Sequence, residues 1–221
     1  MAYVQHKRVD LGDLLSRTFS VLGGIKTEIA IYFAVFAGAG LVADFAESSR
    51  SLIAVASFFG YFFAQYLLYQ AALRKFGLLQ DDAKRVPAFF GMALFLGLPI
   101  IVGLNFFFIP GVILAAKWLM APAVLVARDE GLFEAIGVSW RESDQNTVSL
   151  ALAFAILFIM WLIFFAVIAA IDGMISPNFS DMGALGWISF HALPMLLLGL
   201  SVTAYRHLAD EGEDRLAEVF A

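Results

Sequence analysis

The sequence predicts an all-α integral membrane protein: a bundle of six transmembrane helices with amphipathic helices on its cytoplasmic surface. The first observation is composition, because 62% of the 221 residues are hydrophobic and 15% are charged, with a mean hydropathy of +0.85. Soluble domains are about 45–50% apolar and about 25% charged. The second is a set of six apolar stretches, each close to the roughly 20 residues that a helix needs to cross about 30 Å of hydrocarbon. The third is an uneven distribution of basic residues.

The predicted spans cover residues 30–45, 52–73, 88–105, 110–127, 148–171 and 184–204. The third and fourth belong to one continuous apolar region, which is too long for a single span and suits a hairpin. Its turn is expected between Asn105 and Gly111, because Pro110-Gly111 is a strong helix-breaking pair. We predict a single membrane domain over residues 1–221. No removable signal peptide is predicted, since the first residues are polar.

Basic residues fall almost entirely on one predicted side. With the N-terminus in the cytoplasm, the inner segments carry twelve of the fourteen Lys and Arg residues, the outer loops carry Arg50, and Lys117 lies within a span. The twelve are Lys7, Arg8, Arg17, Lys26, Arg74, Lys75, Lys84, Arg85, Arg128, Arg141, Arg206 and Arg215. This asymmetry is typical of the positive-inside rule. It predicts an even number of spans with both termini in the cytoplasm, including a tail at 206–221.

Two of the inner connections have the pattern of amphipathic helices. They cover residues 10–24 and 130–142, where apolar residues recur at helical spacing opposite charged ones. The apolar positions are Leu11, Leu14, Leu15, Thr18, Phe19 and Leu22 in the first, and Leu132, Phe133, Ile136 and Trp140 in the second. Both segments are expected to lie on the cytoplasmic face of the membrane.

Residues 117–143, KWLMAPAVLVARDEGLFEAIGVSWRES, carry a more specific pattern. It consists of a basic residue in a membrane helix, Ala-Pro shortly after it, an acidic boundary and a helix containing Ser-Trp. The matching positions are Lys117, Ala121, Pro122, Glu130, Ala135, Ser139 and Trp140, together with Tyr205 and Arg206 in the ending VTAYRHLADEG. The chain resembles a family of bacterial six-span inner-membrane proteins. This family includes the membrane domain fused in some bacteria to glycerophosphodiester phosphodiesterases, and related small membrane proteins of unknown function.

The resemblance implies a six-span architecture and a bacterial inner-membrane location. It does not imply phosphodiesterase activity, because a soluble catalytic barrel of 200 or more residues is not encoded beside the spans. The sequence also departs from the family's pattern at two places. Gly137 and Val138 stand where basic residues usually precede the Ser, and residues 144–146 (Asp-Gln-Asn) replace a Thr-x-Gly. The family-motif positions are therefore expected to be structural.

Five polar residues are candidates for a ligand site or polar cavity: Lys117, Asp44, His191, Asn105 and Gln65. Ionisable groups inside spans are costly and mark functional sites by default. Lys117 and His191 are expected roughly 9–10 Å below the outer surface, near the depth of Asp44, and could form an outward-facing cavity with it.

Simpler roles for these candidates stay open. Lys117 could extend its ammonium group to the headgroups, His191 could bond to a neighbouring helix, and Asp44 could lie at the interface. Gln65 is expected to bond across helices, and Asn105 to belong to the hairpin turn.

No catalytic, cofactor or metal site is predicted. Ser139 has no His near it in sequence, Cys is absent, and no Walker, dinucleotide-binding or HExxH motif occurs. A net charge of −5 provides no basic surface for nucleic acid. The spans also lack the acidic pairs that proton-coupled transporters place there. The chain is therefore predicted not to be an enzyme.

The leading hypothesis is a non-catalytic scaffold or helper in lipid or envelope homeostasis. The alternative is a small transporter or channel for a lipid-like or anionic molecule, with a polar cavity near Lys117. Spans interrupted by Pro99, Pro122 and Pro194 favour that alternative. The predicted partner is the lipid bilayer. A lipid or small-molecule ligand, a second copy of the chain and another membrane protein are all compatible with the sequence.

Overall fold

A computed structural model describes residues 9–45, 50–80, 85–128, 130–175 and 184–220, which are helical almost throughout and contain no strand. The helices are α1 (Leu11–Gly24), α2 (Lys26–Phe45), α3 (Arg50–Lys75), α4 (Val86–Phe106), α5 (Phe108–Trp118), α6 (Ala121–Ala127), α7 (Leu132–Glu142), α8 (Thr147–Ile175) and α9 (Ala184–Phe220). The predicted all-α fold class is confirmed.

Several of these helices are long and apolar enough to cross a membrane. They are Ser51–Lys75, Val86–Phe106, Phe108–Ala127, Thr147–Ile171 and Ile188–His207. α1 and α2 would add a sixth if this pair, bent by 71°, is counted as one span. The helices are those of a membrane protein, as the composition predicted.

The structure differs from the predicted boundaries in three places. α2 begins at Lys26, four residues before the predicted span. The predicted start was set by the first apolar residues, whereas the first turn of the helix is polar. The fourth predicted span is interrupted at Leu119 and Met120, which separate α5 from α6, although both residues keep helical backbone angles and Phe108–Ala127 remains one candidate span. The residues predicted as a cytoplasmic tail continue α9 as helix to Phe220. The segments 10–24 and 130–142 are helical, as α1 and α7, and their location at a membrane surface stays a prediction.

The broken span and the last one form the centre of the bundle. In the most apolar 18-residue stretches of Phe108–Ala127 and Ile188–His207, 67% and 61% of the residues are buried within the protein. In the corresponding stretch of Thr147–Ile171, only 11% are buried. In α6, every residue except Pro122 is buried. Most of its side chains are alanine or valine, and small side chains let neighbouring helices approach closely. α8 lies at the periphery and exposes a long series of Leu, Ile and Phe side chains.

α1 begins at a side-chain cap and packs closely against α9. The backbone N–H groups of Gly12 and Asp13 donate to the Asp10 carboxylate at 2.9 and 3.1 Å. The buried residues of α1 are Leu14, Thr18 and Val21, which share one face of the helix. They meet α9 near Gly199, where an added Cβ would lie 2.9 Å from Cγ of Leu22. The absence of a side chain at Gly199 therefore permits this close contact.

The predicted hairpin is formed by α4 and α5, and its turn is the single residue Phe107. Pro110 lies in the first turn of α5, where its missing N–H removes no helical hydrogen bond. The two helices touch through their backbones. A Cβ added at Gly111 would lie 2.4 Å from the Leu104 nitrogen, and one added at Gly103 would lie 2.8 Å from Cα of Gly111. The Pro-Gly pair therefore shapes the entry of α5 rather than forming the turn itself.

Replacing Gly111 with Ala is expected to destabilise the hairpin, because the added Cβ would meet backbone atoms that cannot move independently. Overpacking of this kind costs about 1–3 kcal/mol, and each kcal/mol lowers the Tm of a domain of this size by about 2–4 °C. The measurement is thermal unfolding of the detergent-purified protein, followed by tryptophan fluorescence.

The matched control is Gly97→Ala, also in the α4–α5 region, where an added Cβ meets no atom within 4 Å. Its Tm should be unchanged or higher, since Ala is the better helix former by about 1 kcal/mol. Equal Tm values for the two variants would contradict the role given to Gly111.

Candidate functional site

The break between α5 and α6 is stabilised by hydroxyl groups from the region of α7. The backbone carbonyl of Lys117 accepts hydrogen bonds from Oγ of Ser139 at 2.8 Å and from Oγ of Ser143 at 3.3 Å. Both serines are fully buried. A buried carbonyl without a partner would cost free energy, so these two hydroxyls compensate the Lys117 carbonyl next to the interruption. Leu119 and Met120 themselves keep right-handed helical backbone angles.

The ammonium group of Lys117 is also held by this region. It forms an ion pair with the Asp144 carboxylate, in the turn between α7 and α8. It lies 5.3 Å from the centre of the Trp140 ring, within range of a cation–π interaction. The Lys117 side chain is 11% exposed and that of Asp144 is 64% exposed. The cation is therefore nearly buried, while its carboxylate partner faces outward.

Small residues hold α7 against α6. Ala135 and Ser139 form its buried stripe, and both are 0% exposed, as is Ala121 on α6. Phe133 and Trp140, which the sequence pattern placed on the apolar side of this amphipathic helix, are 72% and 42% exposed. Small side chains allow a closer helix approach than large ones, so the aromatic residues lie at the edge of the contact.

Lys117 lies nine residues after the start of α5 at Phe108, which is roughly 14 Å along the helix. Its partner is Asp144, and its contacts involve none of the residues that surround His191. The side chain of Asp44 lies outside the described part of the chain, so its proposed contact with Lys117 stays a prediction.

His191 and Gln65 meet in a second buried cluster, centred on Tyr32. The Tyr32 hydroxyl and Nδ1 of His191 form a hydrogen bond of 2.7 Å, and Nε2 of Gln65 donates to the Tyr32 oxygen at 3.4 Å. All three side chains are 4–5% exposed. Phe36 and Tyr61 pack against the His191 ring, with ring centres 4.9 and 5.5 Å away. The cluster joins α2, α3 and α9, and contains the interhelical bond predicted for Gln65.

Several other predicted residues stabilise the ends of helices. Asn105 lies in the last turn of α4, where its side-chain amide donates to the Ile101 carbonyl at 2.8 Å. Arg128, just after α6, donates from Nε to the Tyr205 hydroxyl at 3.1 Å and lies 3.6 Å from a carboxylate oxygen of Glu130. Burial lowers the pKa of Arg128, but Tyr205 and Glu130 more than offset this effect, and the pKa is raised. This guanidinium therefore remains charged.

The sequence reasoning missed Asp144, Ser143 and Tyr32. Asp144 follows Trp140 by four residues, a spacing that places two side chains on one helix face, and both contact the Lys117 ammonium. A buried tyrosine usually finds a hydrogen-bond partner for its hydroxyl, so Tyr32 in an apolar helix was also a detectable signal. The residues Asp-Gln-Asn, which replace the family's Thr-x-Gly, make two of the contacts in this region. Asp144 binds the Lys117 ammonium, and Oδ1 of Asn146 accepts a hydrogen bond from the Val9 N–H at 3.1 Å.

A small cavity lies beside this turn. Its polar lining residues include Glu142, Asn146 and His207, and its apolar ones include Met120 and Leu150. Its volume is about 20 Å³, close to the space that one water molecule needs. This cavity is therefore too small for an organic substrate.

Comparison of the chain with models of protein families, with curated proteins and with solved structures finds no match. The resemblance inferred from residues 117–143 therefore stays a prediction.

Removing the carboxylate of the Lys117–Asp144 pair is expected to destabilise the protein more than removing the ammonium. Asp144→Asn leaves the nearly buried ammonium without its carboxylate, which should cost about 1–3 kcal/mol. Lys117→Met leaves an exposed carboxylate that water can solvate, and should cost less than about 1 kcal/mol. Thermal unfolding in detergent measures both, with Glu142→Gln as the control for loss of an exposed carboxylate nearby. A larger loss for Lys117→Met than for Asp144→Asn would contradict the burial asymmetry.

Proposed function

We propose that this chain is a six-span protein of a bacterial inner membrane that acts without catalysis, as a scaffold or helper in lipid or envelope homeostasis. In this proposal α1 and α7 lie at the cytoplasmic face, and both termini are cytoplasmic. The family resemblance of residues 117–143 and the asymmetry of the basic residues support the location and the orientation.

One observation carries the non-catalytic part of the proposal: the candidate polar residues Lys117, His191 and Gln65 bond to other side chains of the protein and connect helices. Lys117 binds Asp144, and its carbonyl is held by two serines. Tyr32 joins His191 and Gln65 across three helices. A catalytic site needs reactive groups that converge on a space for substrate. These groups instead converge on one another, which favours a structural role.

Contacts at one end of the bundle support the proposed orientation. Arg128 contacts Tyr205, the guanidinium of Arg206 lies 5.3 Å from the centre of the Phe76 ring, and Nη1 of Arg85 donates to the Leu125 carbonyl at 3.3 Å. Basic residues distant in sequence therefore gather at the same end. Such a concentration is expected where the bundle meets the cytoplasm.

The orientation can be tested directly because the chain contains no cysteine. Single variants Phe107→Cys, in the α4–α5 turn, and Gln145→Cys, in the α7–α8 turn, are both exposed in the fold. In intact spheroplasts a membrane-impermeant maleimide should label the first variant, and it should label the second only after permeabilisation. The cysteine-free chain is the control, and the reverse labelling pattern would contradict the proposed orientation.

The broken span favours a second candidate function, a small transporter. Membrane helices that are interrupted at mid-depth often line the substrate sites of transporters. Here the interruption at Leu119 and Met120 follows Lys117 by two residues, and this basic residue could attract an anionic or lipid-like molecule. In this alternative, the Lys117–Asp144 pair opens during transport.

A complementation experiment separates the two functions. Deletion of the gene in its source organism should change phospholipid composition or resistance to detergent, and the wild-type chain should restore both. The double variant Lys117→Met with Asp144→Asn removes both charges while keeping similar side-chain volumes. A scaffold should still complement with this variant, because neither charge is left unpaired, whereas a transporter that uses Lys117 should not.

The amount of each chain in the membrane fraction and its Tm provide the folding controls. If deletion changes neither lipid composition nor envelope resistance, the homeostasis proposal is wrong.

A further inference from the structure

A basic corner lies where α1 bends into α2. It consists of Lys75 and Arg206, which lie beside the ring of Phe76, and of Lys26, which follows Gly24 by two residues. Gly24 has no side chain, and a Cβ there would lie 3.1 Å from Cζ of Phe76 and 3.9 Å from Cγ of Lys75. The guanidinium of Arg206 lies 5.3 Å from the centre of the same ring. α3 and α9 thus bring Lys75 and Arg206 to the same ring, and α2 begins beside it with Lys26.

Within the described residues, no ion pair involves any of the three cations in this corner. The acidic residues nearest to Lys26 in sequence are engaged or lie on another face. Asp13 binds Arg17 at 2.8 Å, and Glu28 is only two residues from Lys26, a spacing that places the two side chains on different helix faces. Lys26 and Lys75 are exposed, and Arg206 is half-buried. The corner therefore gathers like charges without a carboxylate among the described side chains to compensate them.

We propose that the basic corner binds the phosphate of an anionic phospholipid headgroup. Clusters of Lys and Arg at the cytoplasmic ends of membrane helices attract anionic lipids, and basic pockets between such helices bind their headgroups. The apolar surface that the acyl chains need is adjacent in the fold. α2 exposes Ile31 and Val35, and α3 exposes Leu67, all by 47–60%.

The corner differs in kind from the Lys117 site. Lys117 is nearly buried and already carries a carboxylate partner, so a ligand would have to displace Asp144. Lys26 and Lys75 are accessible without any rearrangement. The inference deepens the proposed role in lipid homeostasis by naming a lipid class, and it rests on that proposal only for the leaflet that supplies the lipid.

Lipid binding is tested with the full chain purified in detergent and titrated with phosphatidylglycerol, with bound lipid counted by native mass spectrometry. The test variant is Lys26→Gln with Lys75→Gln, since both side chains are exposed and their loss should leave the Tm unchanged. Each cation near a membrane surface contributes about fivefold in affinity, equivalent to about 1 kcal/mol. The Kd for the first bound phosphatidylglycerol should therefore rise by about 25-fold.

The matched control is Arg17→Gln with Arg141→Gln, which removes the same charge from exposed positions outside the corner. It should change the Kd by less than about twofold. Arg206→Gln alone should raise the Kd about fivefold. Phosphatidylcholine, which carries a phosphate but no net charge, should bind more weakly than phosphatidylglycerol.

Three results would overturn the proposal. One is an equal loss of affinity in the control, which would indicate general electrostatic attraction. Another is equal binding of phosphatidylcholine. The third is displacement of the lipid by millimolar inorganic phosphate, which would identify a free anion as the ligand. Because the assay uses purified protein, its failure is distinguishable from failure of the complementation experiment.

Discussion

The arrangement of the bundle depends on the hydrogen bonds that hold the Lys117 carbonyl. A backbone group freed by a helix break inside a membrane protein must find a partner within the protein, because lipid supplies none. Ser139 and Ser143 supply the partners, and in doing so they fix α7 against the broken span. α7 in turn positions Trp140 and Asp144 at the Lys117 ammonium. Backbone and side chain of one residue thus define where four helices meet.

α9 connects this region to the rest of the described bundle. Its residues contact α2 through His191, α1 at Gly199 and the end of α6 through Tyr205. Its connection to α8 includes a hydrogen bond of 2.7 Å from the Trp161 indole N–H to the Ser189 carbonyl. Each contact is either a buried polar bond or a close approach at a small residue. In a membrane, an apolar side chain gains little by moving from lipid into the protein, so helices associate through polar bonds and close packing of this kind.

Helix positions and fold class could be predicted because both follow from local composition. Runs of apolar residues define helices whatever their neighbours are, and the boundaries of α3, α4 and α8 lie within a few residues of those expected. The break after α5 was not predictable in the same way. Pro122 alone is compatible with a continuous kinked helix, as Pro99 and Pro194 are inside α4 and α9. The Lys117 carbonyl beside the interruption also accepts from two serines that are more than 20 residues away in sequence.

In the candidate site, too, single residues could be predicted from the sequence but their contacts could not. Lys117 could be recognised from sequence because a cation in an apolar helix is unusual, and Gln65 and His191 for similar reasons. Their partners could not be recognised from sequence. The position of a residue along its own helix predicts its depth in the membrane, but its contacts depend on which faces of neighbouring helices pack together. Asp144 belongs to a connection that sequence alone assigns to no particular helix. Tyr32 is one of six tyrosines, and only the packing of α2 against α9 distinguishes it.

The two groups of cations differ in how their charge is compensated, and this difference indicates where a ligand can bind. The charge of Lys117 lies in the interior, where an uncompensated cation is costly, and the chain provides both a carboxylate and an aromatic face. At the basic corner, Lys26 and Lys75 are exposed to water, so their charges need no compensation by the protein. Lys75 and the half-buried Arg206 meet beside Phe76 from two helices that are distant in sequence. An anionic headgroup of the surrounding bilayer is the ligand that we propose for them, because clustered cations at the ends of membrane helices attract such headgroups.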